Sequence, residues 1–205
     1  MRKEYTLPTE KLLRTLSPPS IAAYATRCAM RVQPFLCLCK EASFRYKKFV
    51  LEIDSSLNEN ISFNEAEDAS LDADELLSYA TELSEEEVTS KTKATAISAA
   101  HAFRATTYIA NDFLDGGYDS AIRAVDSSMV VIFEMDWPFA PAQKDFEFLQ
   151  ELIHGDAVDY FFDCRDTGPL GDLWHGNPPD WYLEVKQVYD KNIVLWEKEI
   201  LKDKT

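Results

Sequence analysis

The sequence predicts an all-α fold, a single-domain bundle of about seven or eight helices packed round one Ala-rich central helix. Three observations predict it. Residues 93–114 contain neither Gly nor Pro and are dominated by Ala, the best helix former. Elsewhere, apolar residues recur at three- and four-residue steps rather than alternating. Only six glycines and few alternating Val/Thr runs leave little material for a sandwich or a doubly wound sheet.

The central stretch 93–114 carries one apolar face of Ala96, Ala99, Ala100, Phe103, Thr107, Ala110 and Leu114. A second face beside it holds Ala102, Ala105, Ile109 and Phe113. A helix apolar over most of its circumference is enclosed by neighbours on several sides. Its polar stripe is confined to His101, Arg104, Tyr108, Asp112 and Asp115.

Taken in order, residues 1–16 read as a short helix with Thr9 as its cap. Ser17 caps the next helix, 18–39, with Pro18 at home in its first turn. Ile21, Ala25, Cys28, Ala29, Val32, Phe35 and Leu36 share one side of it, and Pro34 predicts a kink or break near Val32–Gln33. A third helix over 42–57 turns Phe44, Phe49, Ile53 and Leu57 inward. Ser62 to Glu65 has capping-box spacing and starts a fourth helical segment, with a second possible start at Asp72. Ser84 to Glu87 is another capping box, leading into the central helix. Gly116-Gly117 is expected to end that helix as a C-cap.

A helix over 119–135 follows, with Ala121, Ile122, Val125, Met129, Ile132 and Phe133 apolar. Its run 129–133 has strand propensity, but the preceding periodicity favours helix. Residues 141–162 read as helix, with Phe146, Leu149 and Leu152 apolar and Gly155 a possible divider. Residues 163–180 hold too many Gly and Pro for regular structure, yet carry Leu170, Leu173 and Trp174. A solvated linker needs no such side chains, so this loop is expected to be pinned against the bundle. Asp180 is read as the cap of a last helix, 180–202, with Tyr182, Val185, Val188, Tyr189, Ile193 and Trp196 on one side.

Composition narrows the function. With 46% hydrophobic residues and 12 Phe, 9 Tyr and 4 Trp, the 205-residue chain can build a sizeable core. No apolar run reaches the length of a membrane span, and Met1-Arg2-Lys3-Glu4 precede no apolar signal region, so a cytoplasmic location is expected. The net charge is −15 and unevenly spread: 49–90 hold thirteen Asp/Glu and no Lys/Arg, whereas 1–48 hold ten Lys/Arg against three Asp/Glu. Such a protein is repelled by nucleic acid and by anionic membranes, and its natural partners are cations or basic proteins.

Motifs add little chemistry. There is no P-loop, G-x-G-x-x-G, G-x-S-x-G, H-E-x-x-H or EF-hand pattern. Cys28, Cys37, Cys39 and Cys164 lack the paired spacing of zinc motifs, and His101, His154 and His175 are scattered. Glu151 and His154 form one Glu-x-x-His pair where a di-metal bundle needs two. No metal, cofactor or catalytic residue is assigned. Two candidate sites are left. The acidic tract offers Glu65, Glu67, Asp68, Asp72, Asp74, Glu75, Glu85, Glu86 and Glu87 as a docking surface, though acidic residues in helix first turns also serve the helix dipole. The stripe of His101, Arg104, Tyr108 and Asp112, with Trp174 from the loop, offers a small-ligand or enzymatic site; its plainer reading is a seam whose residues satisfy one another at i, i+4.

The stretches 22–35, A-A-Y-A-T-R-C-A-M-R-V-Q-P-F, and 168–181, G-P-L-G-D-L-W-H-G-N-P-P-D-W, resemble the two ends of an uncharacterised bacterial helical family with a C-terminal G-P-L-W-x-x-G-x-P-x-W-like segment. The first stretch also resembles the opening of immunity proteins from bacterial polymorphic toxin systems. The resemblance implies bacterial origin, a helical fold and a non-enzymatic immunity protein that binds and neutralises a cognate basic toxin or effector. A scaffold subunit pairing through its last helix is a third, plainer expectation.

Overall fold

The computed structural model describes residues 8–39, 41–58, 66–84, 86–135, 140–152, 164 and 170–203; for Asn58, Ala66, Glu67, Asp68, Ser70 and Leu71 it describes the backbone alone. Eight α-helices and one 3-10 turn, with no strand, make up the regular structure among these residues: α1 (Glu10–Leu13), α2 (Pro18–Val32), the turn Gln33–Cys37, α3 (Phe44–Asn58), α4 (Ala66–Glu82), α5 (Ser90–Ala110), α6 (Leu114–Glu134), α7 (Ala140–Leu152) and α8 (Asp180–Asp203). The all-α bundle is thus the fold.

Helix α5 is the central element and packs against α2, α3, α4, α6 and the 3-10 turn. Ala96, Ala99, Ala100, Ala102 and Ala105 are completely buried. A buried methyl contributes only about 0.8 kcal/mol, so their main effect is geometric: small side chains let neighbouring backbones come close. Close approach is visible where Ser98 Oγ donates to the Ala124 carbonyl of α6 at 2.7 Å and Thr92 Oγ1 to the Phe35 carbonyl at 3.2 Å.

The start of α5 lies three residues before the expected Lys93, at Ser90. Thr89 is its N-cap and accepts from the Thr92 amide at 3.1 Å. The Ser84–Glu87 capping box forms reciprocally on the turn before it. The end is not as expected. The helix stops at Ala110, and Asp112, not Gly116, takes the left-handed position at φ +59°. Phe113 N donates to Tyr108 O at 2.8 Å and Asp112 N to Ile109 O at 3.2 Å, while the Phe113 and Tyr108 rings pack 5.2 Å apart. This is a Schellman closure with Asp at the position glycine usually takes. The Gly pair lies one turn further on, inside α6, because α6 crosses α5 there at close range. A Cβ on Gly117 would sit 2.5 Å from Ile109 Cγ1.

Other boundaries follow local chemistry. Ser17 caps α2, accepting from Ser20 N at 3.4 Å, with Pro18 in the first turn. Pro34 removes a backbone donor, and α2 tightens into the 3-10 turn at Gln33, where the break was expected. Helix α4 runs through Asp72 without a second start. Residues 129–133 are helical, within α6. Asp180 lies in the first turn of α8 rather than at its cap. The expected capping box at Ser62–Glu65 and the whole of 153–163, with Gly155 as divider, fall outside the described residues. Several residues assigned to inward faces are exposed: Phe44, Phe113, Leu114, Phe133 and Val188. Phe44, Phe113, Leu114 and Phe133 lie at helix ends, and Val188 lies within α8.

Candidate functional site

The largest departure from the expected core lies on α2. Arg27 and Arg31, one turn apart on this otherwise apolar helix, are completely buried. A buried cation needs a counter-ion and a full set of acceptors. The counter-ion is Asp145 of α7, also fully buried. Arg27 Nε donates to Asp145 Oδ2 at 2.9 Å, and Arg31 Nη2 donates to the same oxygen. Backbone carbonyls supply further acceptors: those of Cys164, Gly171 and Asp172 for Arg27, and that of Leu173 for Arg31, whose Nη1 is left without a partner among the described residues.

His175 completes the cluster, its Nε2 lying 2.8 Å from Asp145 Oδ1. Its backbone is left-handed at φ +50°, and Asp172 holds the turn, accepting from Trp174 N at 2.6 Å on Oδ1 and from His175 N at 3.0 Å on its carbonyl. The loop is therefore pinned, as its apolar residues predicted, but polar groups do most of the pinning. Leu170, Leu173 and Trp174 are buried beside them. The pinning also brings 170–181 against 22–35, parts of the two stretches that carry the family resemblance. The sequence reading missed Arg27, Arg31, Asp145 and His175 as a unit. The signal was there: two arginines at i, i+4 on an apolar helix face with no local carboxylate.

The stripe on α5 is reorganised. Arg104 Nε donates to Asp74 Oδ1 of α4 at 2.6 Å, Nη2 to the Tyr108 hydroxyl at 2.7 Å and Nη1 to Ser120 Oγ at 3.4 Å. The Tyr108 hydroxyl donates to the Asp74 carboxylate at about 3.0 Å. The i, i+4 seam thus exists for Arg104 and Tyr108, but its acid is Asp74 rather than Asp112, which has left the helix to close its end. His101 is buried, and burial, reinforced by Arg123 and Arg104, pushes its pKa down to about 4. It is a neutral imidazole. Trp174 belongs elsewhere: it packs on Tyr182, Trp181 and Arg31, on the α2–α8 side of the bundle.

Of the acidic tract, Glu65 and Glu85 lie outside the described residues, as do the side chains of Glu67 and Asp68. Asp72, Asp74, Glu75, Glu86 and Glu87 are exposed. Two of these have internal work: Asp74 holds Arg104 and Tyr108, and Glu87 bonds Ser84, whose amide and hydroxyl keep its pKa below the usual carboxylate value. Asp72 and Glu75 border a cleft of about 530 Å³ between α3 and α4. Phe49, Leu76 and Phe103 form its floor; Arg45, Lys48, Glu52 and Tyr79 line it further. Glu52 is paired with Lys48 at 3.2 Å, and Arg45 lies 4.4 Å from the Tyr79 ring centre.

Cys28, Cys37, Cys39 and Cys164 are free thiols, the first two held well above the ordinary thiol pKa by burial. No group of three metal-ligating side chains occurs among the described residues, and no helix there is long and apolar enough to cross a membrane. Compared with family models, curated proteins and solved structures, the chain matches none.

Proposed function

We propose that this chain is a non-enzymatic immunity protein that binds a cognate bacterial toxin in the cytoplasm and blocks it, docking through the acidic face of α4 and the adjoining 84–87 turn. The observation that carries the reading is the state of Asp72, Glu75 and Glu86. They stand exposed and unengaged, in a tract with thirteen Asp/Glu and no Lys/Arg, whereas Asp54, Asp74 and Glu87 of the same tract are engaged within the fold. A carboxylate face of this kind steers a basic partner into encounter, and a few desolvated anchors then hold it. The commitment of Arg104 and Tyr108 to Asp74 favours this over a small-ligand site on the stripe. The resemblance of 22–35 to the opening of immunity proteins points the same way.

The test is size-exclusion chromatography and calorimetry with the toxin encoded beside this chain's gene. A stoichiometric complex is expected, with an association rate that drops as salt rises towards a Debye length of about 8 Å. Absence of any complex at low and physiological salt ends the proposal.

A further inference from the structure

We infer that the α3–α4 cleft receives one amphipathic segment of a basic partner protein, seating an arginine or lysine between Asp72 and Glu75 and apolar side chains over Phe49, Leu76 and Phe103. This rests on the docking function proposed above and names where the partner is anchored.

The carboxylates alone would be an ordinary solvated face; the cleft beneath them is what makes a site. Its floor is aromatic and aliphatic, suited to the stem of a long cationic side chain. Its charges are ordered. Along α3, Arg45 and Glu52 are seven residues apart, about 10 Å of helix. The cations are already engaged, Arg45 on the Tyr79 ring and Lys48 on Glu52. The unengaged groups are both acids, Asp72 and Glu75 of α4. An incoming cation therefore finds open partners at the Asp72–Glu75 end, whereas a second cation at the Arg45 end meets like charge. The shape and charge together fit a helix-in-groove ligand with an Arg and a Glu two turns apart and leucines between them.

Two synthetic helical peptides of equal length and leucine content test this with the full chain, by isothermal calorimetry and by amide shifts of the labelled protein. One carries Arg and Glu seven positions apart; the other carries Arg at both positions. The Arg/Glu peptide is expected to bind more tightly, to shift Phe49, Leu76 and Phe103, and to lose about tenfold in affinity with D72N/E75Q, as removal of charge-assisted contacts predicts. The inference is overturned if the Arg/Arg peptide binds as well or better and E82Q/E86Q weakens it as much as D72N/E75Q. It is equally overturned if the toxin binds D72N/E75Q with undiminished affinity, a result that leaves the docking function standing. Failure of every variant and the parent protein to bind the toxin, with peptide binding intact, removes the docking function instead. Circular dichroism of both surface variants guards against misfolding.

Discussion

Replacing Asp145 by Asn removes the one carboxylate that, among the described residues, faces two fully buried guanidiniums. The side-chain volume hardly changes, so no cavity confuses the result. What changes is charge: Arg27 and Arg31 stay in the interior without a counter-ion among the described residues, and the amide NH₂ can donate to His175 Nε2 but to neither guanidinium. Breaking one partner of a buried ion pair costs about 3–5 kcal/mol. For a chain of this length each kcal/mol moves Tm by about 2–4 °C, so a fall of about 6–20 °C is expected. Thermal and urea unfolding followed by far-ultraviolet circular dichroism would read it. The damage should also be local before it is global. The Asp145 carboxylate ties α7 to His175, so the amides of Trp174, His175 and Asn177 should exchange faster in D145N well below its Tm. His175→Ala, which loses one contact of a partly exposed ring, should cost only about 1 kcal/mol. A D145N variant within about 1 kcal/mol of the parent, with loop exchange unaltered, would refute the assignment of Asp145 as the anchor.

Three further outcomes are expected. His101 has a depressed pKa in the fold, so the unfolded chain takes up the proton first; stability should fall as pH drops from about 6.5 towards about 4, by at most about 3–4 kcal/mol, then level off. His101→Gln should remove that portion of the pH dependence, measured as the difference between the two unfolding curves. Asp112→Gly should raise stability by roughly 0.5–1 kcal/mol, because the φ of +59° suits glycine better than a residue with a Cβ; a loss on chemical denaturation would contradict the closure described for α5. Gly117→Ala should destabilise by about 1–3 kcal/mol as its methyl drives Ile109 off the α5–α6 contact, and the loss should shrink when measured in an I109A background, where Cγ1 is gone.

Local chemistry made much of this fold readable in the chain. Ser17-Pro18, Pro34 and the Ser84–Glu87 box act within a few residues of themselves, and each formed where it was expected. Asp112 misled because left-handed backbone is rarer for Asp than for Gly, and a Gly-Gly pair stood four residues later. That pair answered a different demand, the close crossing of α6 over α5, which depends on Ile109 and so on tertiary packing. The candidate sites were legible only in part. The excess of carboxylate in 49–90 is plain in the sequence, but which acids are free is not, since Asp74 is claimed by Arg104 thirty residues away. Periodicity placed Arg27 and Arg31 on α2 without revealing that they point inward, because their acceptors come from α7 and the 164–175 segment. The cleft between α3 and α4 has no one-dimensional signature.

The distance in sequence between those arginines and their anchor has a consequence for the newborn chain. At a synthesis rate of about 5–20 residues per second, the 114 positions from Arg31 to Asp145 take roughly 6–23 seconds to emerge. Throughout that interval α2 carries two charges that must stay wet, so it cannot sink to its final depth against α5 and α6. The N-terminal third of the protein is thereby held open on the ribosome until α7 and the segment after it arrive to close it.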